Sequence, residues 1–446
     1  MRDEQTEEKT TGSVQSTKQG GDIYGRWPWV EPEVWTERML SALEEGVKGG
    51  KWFSLIDKVS SEKALRSAHR KVHRNRGAAG VDGETTEEFQ QEAEGRIKKL
   101  SEQLKGGKYQ PQPAKRTWIP KPGTTEKRPL GIPTVTDRVV QQSLRMVLEP
   151  IFEKDFAEQS YGFRPGRSCK DALRRLSELL RSKYTWVVDA DIKGYFDTIP
   201  KGKLMEKVKE KIADGKVLDL LWKYLEQGVM EGMKHWTPEK GTPQGAVISP
   251  LLSNIYLDEL DHEMAARGHQ MIRYADDIVV VCQTKEEAEK VLSFVQEWMK
   301  RTDLTLHPEK TQIVDATQRG GFDFLGYHFE RGMRWPRQKS INKFREKIRQ
   351  KTRRANGNSL SQIVAEINPI IRGWCEYFKH SIRNELEKLD SWIRMRLRSI
   401  LRKRHGGKGR GRGWDHYKWP NVYFAKLGLF SMTAARAQYA QSCKRR

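Results

Sequence analysis

The stretch Ile272-Arg273-Tyr274-Ala275-Asp276-Asp277-Ile278-Val279-Val280-Val281 joins two apolar runs at a pair of adjacent aspartates. Short β-branched runs around a polar step predict a hairpin, here with an acidic turn. Two carboxylates side by side in a tight turn repel each other, and cations relieve the repulsion. Further back, Trp186-Val187-Val188-Asp189-Ala190-Asp191-Ile192 is another apolar run that turns acidic at its far end. Period-two alternation puts Asp189 and Asp191 on one face of that strand. Any one of these aspartates alone reads as a turn or cap residue. As a set they suit phosphoryl transfer from a nucleoside triphosphate, which uses two divalent ions about 3.5 to 4 Å apart held by carboxylates on a rigid support. Magnesium takes oxygen ligands and keeps some waters, so Asp191, Asp276 and Asp277 with substrate phosphates suffice for two Mg2+ ions, with Mn2+ able to substitute.

Outward from these strands the pattern becomes helical. Val139, Val140, Leu144 and Val147 mark an amphipathic helix, entered through the Pro-rich and therefore extended segments Ile119 to Gly123 and Arg128 to Pro133. Residues 77 to 83 hold three glycines in seven positions and, with Arg76, form a loop or turn. Near the start, a polar lead-in from Met1 to Asp22 gives way to Trp27, Trp29 and Trp35, then to helical spacing through Met39, Leu40, Leu43 and Val47. Beyond about Asn342 only helices are expected, so the fold class is α+β with an α-helical appendage.

Charge divides the chain in the same place. The net charge is +23, and the residues from Arg331 onward carry all of it, with 30 Lys and Arg against 7 Asp and Glu; the residues before balance. Such asymmetry points to a polyanion partner. Within this region Leu386, Leu389, Ile393, Leu397 and Ile400 form an apolar stripe, and Arg394, Arg398 and Arg402 a basic stripe beside it, expected to meet phosphates. The residues from His405 to Gly413 read as a flexible basic linker, with Trp414, Tyr423, Phe424 and Leu429 following to fold back or to bind nucleic acid. Four scattered cysteines, Cys169, Cys282, Cys375 and Cys443, show no C-x-x-C pairing and argue against a zinc site or a disulfide framework. No run of about 18 apolar residues suggests a membrane span, and a soluble protein is expected.

These motifs carry a resemblance. Tyr274-Ala275-Asp276-Asp277 resembles the YADD box of group II intron reverse transcriptases; Asp191 to Asp197 is similar to the first catalytic motif of that family, and Gly241 to Pro250 to its nucleotide-pocket motif. Arg128 to Thr134, Gln159 to Ser168 and Phe324 to Tyr327 follow the family's order, and Ile367 to Phe378 resembles its thumb, or maturase, motif. The likeness runs from about Trp52 to Phe430.

The resemblance implies a right-hand polymerase: an N-terminal extension over 1–45, disordered or helical, fingers and palm over 46–330, a helical thumb or maturase domain over 331–404, and a basic tail over 405–446 that binds nucleic acid. It implies that Asp191, Asp276, Asp277 and the Ile192 carbonyl hold the metal ions, with Asp189 a bystander. Phe196 would exclude a ribose 2′-hydroxyl, Gln244 contact the incoming sugar, Lys121 and Arg128 grip the triphosphate, and Phe324, Leu325, Gly326 and Tyr327 form the primer grip. Ala246 stands where the family often has a second glycine. The implied partners are group II intron RNA, an RNA template with a DNA primer, target DNA and deoxynucleoside triphosphates, in the bacterial cytoplasm and on the nucleoid when target DNA is bound. With no H-N-H or paired-cysteine nuclease signature, the chain resembles the endonuclease-lacking, class C-like members, whose primer comes from another source. A domesticated or CRISPR-associated reverse transcriptase, a splicing-only maturase and an RNA-copying RNA polymerase are the alternatives, the last opposed by Phe196.

Overall fold

In the computed structural model, residues 23–120, 127–242, 244–411 and 413–444 are described. At its centre is an antiparallel sheet built from β3 (Trp186–Asp191), β6 (Gln270–Tyr274), β7 (Asp277–Cys282) and β8 (Gln312–Asp315), in the order β6-β7-β3-β8. Val, Ile and Ala fill the two middle strands, and their alternation sends side chains into separate cores. Val188, Ala190, Ile278 and Val280 face one core, shared with the Val135–Glu153, Ser249–Ala266 and Lys285–Arg301 helices. Val187, Ile272, Val279 and Val281 face another, with Leu173 and Leu176 of the Cys169–Arg181 helix. A sheet covered on both faces leaves only its strand ends for polar groups. Asp191 and the Asp276-Asp277 turn occupy one such end, as the hairpin reading predicts.

The extended segments before the Val135–Glu153 helix pair with each other, which proline content had obscured. β1 (Ala114–Pro120) and β2 (Lys127–Ile132) form an antiparallel hairpin in which Trp118 faces Pro129 and Pro120 faces Lys127. β2 is an edge strand, where a missing N–H costs nothing. β1 also pairs in parallel with β4 (Val229–Glu231), which carries β5 (Lys234–Trp236). A third sheet, β11-β10-β9, joins β9 (Phe322–Phe324), β10 (Tyr327–Glu330) and β11 (Met333–Pro336). From residue 23 the N-terminal extension is docked: the fully buried Trp35 donates from Nε1 to the Met146 carbonyl at 3.0 Å, and Leu40 and Leu43 of the Glu37–Glu45 helix join the first core. The polar lead-in lies outside the described residues.

Helices follow, as expected: Gln338–Lys351, Leu360–Phe378 and Arg383–Arg404. Leu386, Leu389, Ile393, Leu397 and Ile400 all point into their common core. The tail belongs to that core as well, since Trp419, Phe424 and Met432 are buried in it. The expected flexible linker is instead fastened down. Gly411 N donates to Ser399 Oγ at 2.9 Å, Arg402 Nε donates to the Lys408 carbonyl at 2.8 Å, and a Cβ on Gly411 would lie 2.4 Å from Arg398 Cβ. Asp390 accepts from Ser431 Oγ and from the Met432 and Thr433 amides, capping the last helix. Among the described residues no helix is long and apolar enough to cross a membrane.

Candidate active site

Register brings the aspartates together. Asp191 is directly opposite Asp277 at the last rung of β3 and β7, and Asp276 sits in the turn that closes β6 onto β7. Ala275 holds that turn at φ 59°, a left-handed conformation unusual for a residue with a side chain. It is over-determined by its surroundings. Arg273, fully buried, donates to the Ala275 carbonyl and Asn254 Oδ1 (3.0 Å each), to Ser160 Oγ (2.8 Å) and to both oxygens of buried Asp261 (2.7 and 2.5 Å). From the other side Gly162 presses on the turn: a Cβ there would lie 2.3 Å from the Ala275 nitrogen. Sequence reading passed over Arg273, although a charge inside an apolar strand always asks for a partner.

The carboxylates lack sufficient positive charge. Burial raises the pKa of Asp276, and neighbouring Asp191 raises it further, against the pull of Arg128 and Lys310. Asp277 opens onto the cleft yet lies deep in it; burial, then Asp276 and Asp191, push it up to about 6. Lys310 Nζ, 119 residues along the chain, pairs with Asp191 Oδ2 at 2.5 Å. Among the described residues no three His, Cys, Asp or Glu side chains converge closely enough to chelate a metal by themselves. The donor set nevertheless fits Mg2+: hard oxygens, mutually repelling, with an ammonium standing at one of them where a cation belongs. Asp189 differs. It pairs with Val279 and Gln312 one rung pair back, accepts from Gln312 Nε2 at 3.3 Å, and is pushed up to about 7, by burial first.

A cleft of about 1400 Å³ opens in front of this sheet end. Asp191, Asp277 and Lys310 line it, with Arg128 from the β1-β2 hairpin, Leu325 and Gly326 from the β9-β10 turn, and Lys339 and Lys388 from the helical region. The Phe324 to Tyr327 motif therefore divides: Leu325 and Gly326 form the turn, at φ 47° and 83°, while Phe324 and Tyr327 are buried. Lys121 lies outside the described residues. Phe196 is half-buried, edge-on to Phe163 with ring centroids 6.4 Å apart, and its carbonyl accepts from Thr242 N at 2.7 Å. Gln244 donates to Asp197 Oδ2 at 3.1 Å and lines a separate small pocket with Arg116 and Gly131. Neither lines the large cleft. In this motif the demanding glycines are Gly241, at φ 91°, where a Cβ would meet the Phe196 carbonyl at 2.6 Å, and Gly245, at φ 103°, where it would meet the Gly131 carbonyl at 2.3 Å; Ala246 is simply buried.

The basic stripe departs from expectation. Arg398 is buried, donates to the Trp419 carbonyl (2.9 Å) and Asn421 Oδ1 (2.8 Å), and lies over the Phe424 ring. Arg402 pairs with Asp415 at 2.7 Å. The tail folds over this side of the helix, so Arg398 serves packing and cannot meet a phosphate. Arg394, half-buried, donates to Ser391 Oγ at 3.1 Å.

A doubly covered antiparallel sheet, aspartates at one end and a cleft between a finger hairpin and a helical bundle define the right-hand polymerase class. The reverse transcriptase (RNA-dependent DNA polymerase) family matches residues 119–329, and the group II intron, maturase-specific domain matches residues 341–419. Protein YkfC of Escherichia coli is 34% identical over 318 residues, 62% of this chain and 83% of that one. The group II intron-encoded protein LtrA of Lactococcus lactis is 42% identical over 196 residues, 44% of this chain and 32% of that one. The putative COX1/OXI3 intron 1 protein of Saccharomyces cerevisiae is 28% identical over 389 residues, 73% and 45% of the two chains. This chain belongs to the group II intron-encoded reverse transcriptase and maturase family. It spans about a third of the length of LtrA.

Proposed function

We propose that this protein copies RNA into DNA by two-metal-ion nucleotidyl transfer and uses its basic helical region to hold group II intron RNA, assisting splicing and mobility. The observation that carries the reading is the rung pairing Asp191 with Asp277, with Asp276 in the adjoining turn, at a cleft of about 1400 Å³. Asp191, Asp276, Asp277 and the Ile192 carbonyl are the ligands. Magnesium bound there supplies the charge that activates a primer 3′-hydroxyl and steadies the departing pyrophosphate.

The chain's own residues do the rest. Arg128, with Lys121, grips the triphosphate of an incoming deoxynucleotide through charge-assisted bonds. Phe196 stands against a 2′-hydroxyl, Gln244 contacts the sugar, and the Leu325-Gly326 turn seats the primer end. Beyond Arg331, the net charge of +23 draws intron RNA, and target DNA at insertion. The test is extension of a DNA primer on an RNA template with Mg2+ or Mn2+. Asp191→Asn, Asp276→Asn and Asp277→Asn should each abolish it, because a neutral amide lacks the charge that would hold a divalent ion there, whereas Asp189→Asn should not. An essential Asp189 with a dispensable Asp191 would overturn the metal assignment.

A further inference from the structure

A side chain held at positive φ strains the backbone, and such strain persists only where the surroundings over-determine it. Among the described residues, Arg76, Lys183, Asp303 and Arg331 adopt it as exposed polar residues just past a helix or in a hairpin turn, where it belongs. Ala275 and Leu325 adopt it in the two turns of the site. The remaining one is Phe163, at φ 61°. Its side chain is 42% exposed, so burial does not account for an aromatic ring where glycine would sit without strain.

The chain is clamped on both sides of Phe163. The Gly162 carbonyl accepts from Asn254 Nδ2 at 2.8 Å. Arg164 is buried, pairs with Glu153 at 2.8 Å, and donates to the Ala157 and Ser160 carbonyls at 2.5 and 3.0 Å. With both neighbours fixed, the Phe163 ring has one direction to take, and it stands edge-on to Phe196. Thr242 N holds the Phe196 backbone through its carbonyl, so what is left to fix there is the ring. Among the described residues its aromatic neighbours are Phe163 and Tyr195, the latter at 5.6 Å. Tyr195 is buried and donates to the Ser253 carbonyl at 2.6 Å, which makes it a rigid partner.

Bulk excludes a 2′-hydroxyl only if the ring that supplies it cannot turn aside into another rotamer. An edge-to-face partner adds directional resistance to that turn. We propose that Phe163 is a positioning residue for sugar selection: its ring, set in place by a strained backbone, holds the Phe196 ring against a ribose 2′-hydroxyl. The inference rests on the gate role given above to Phe196. Gly162 presses on the aspartate turn and Phe163, next in the chain, on the gate, so one loop positions both.

The test measures kcat/KM for a deoxynucleotide and its matching ribonucleotide in single-nucleotide extension, with melting alongside, for Phe163→Gly, Phe163→Tyr, Phe196→Val and the double variant Phe163→Gly/Phe196→Val. Phe163→Gly should lower the preference for the deoxynucleotide about fivefold and leave the KM for primer–template unchanged. It should melt near wild type, since relief of the strained backbone offsets the lost packing and the freer unfolded chain. The preference is a ratio within one preparation, so partial unfolding does not move it. Phe163→Tyr keeps the ring and should keep the preference. The double variant should be no worse than Phe196→Val alone, because Phe163 acts through the Phe196 ring. An unchanged preference in Phe163→Gly overturns the proposal, as do multiplicative losses in the double variant or a loss confined to the KM for primer–template, which would make Phe163 a template contact. If Phe196→Val lowers the preference and Phe163→Gly does not, the proposal alone falls; if Phe196→Val leaves it unchanged, the gate reading falls and takes the proposal with it.

Discussion

Replacing Gly162 with alanine tests whether placement of the aspartate turn governs the chemistry. The new Cβ would lie 2.3 Å from the Ala275 nitrogen, 2.9 Å from the Tyr274 carbonyl carbon and 3.1 Å from the Ala275 Cα. All three are backbone atoms, so no side chain can swing aside. Real Cβ contacts essentially never fall below 3.0 Å, and the shortfall of about 0.7 Å must be met by moving main chain. The Gly162 loop cannot retreat alone: its carbonyl accepts from Asn254 Nδ2 at 2.8 Å, and Tyr161 N and the Gln159 carbonyl are bonded to Arg273 on β6. The turn therefore shares the displacement. Catalytic groups must be held within about 0.5 Å, and a 1 Å error costs about a hundredfold, so kcat should fall roughly 30- to 100-fold. Overpacking costs about 1–3 kcal/mol, within a typical stability of about 5–15 kcal/mol, so the variant should stay folded at 25 °C. Single-nucleotide extension at saturating primer–template, with a melting curve beside it, reads both quantities. A folded variant with kcat within about threefold of wild type would refute the reasoning.

Three further outcomes follow from the same geometry. Asp189, pushed up to about 7, holds its proton more tightly folded than unfolded, so its contribution to stability is full below about pH 4 and drains away as pH rises to about 7; Asp189→Asn should match wild type at pH 4, melt higher at pH 8, and still extend primers. Phe196→Val should raise the use of ribonucleotides relative to deoxynucleotides by about tenfold or more, and an unchanged ratio returns Phe196 to packing against Phe163. Arg398→Gln should cost about 1–3 kcal/mol through the stranded Trp419 carbonyl and Asn421 without altering the salt dependence of RNA binding, whereas Arg394→Gln should lower the log–log slope by up to about 0.7 to 0.9; filter binding over a salt series separates them.

What the sequence disclosed was whatever its local pattern controls. The strand from Trp186, the acidic hairpin and the buried leucines of the Arg383–Arg404 helix were legible because each is a matter of periodicity and burial. The finger hairpin was not, because Pro120 and Pro129 argue against strands until Pro129 is found on the edge strand β2 and Pro120 at the end of β1, beyond its pairing with β4. The three arginines at four-residue spacing share a helix face, but the tail decides what that face meets, and no helical spacing encodes where Trp419 will land. Lys310 was invisible for a similar reason: nothing in Pro308-Glu309-Lys310 says that it will meet an aspartate 119 residues earlier. The glycine-rich stretch after His405 has the composition of a linker, yet Ser399 and Arg402 capture its backbone.

That capture bears on how the protein is made. Chains emerge from the ribosome N-terminus first and fold unit by unit as they do. The first core of the palm, whose buried residues all precede 305, can close while the rest is still being synthesised; the second waits for Phe378. The helices that follow cannot, for Trp419, Phe424 and Met432 cover the seam formed by Ile393, Leu397 and Leu401. Until those late residues appear, the arm exposes a greasy stripe beside a basic surface, open to chaperones or to stray partners. A chain stopped at residue 404 would keep that stripe for good.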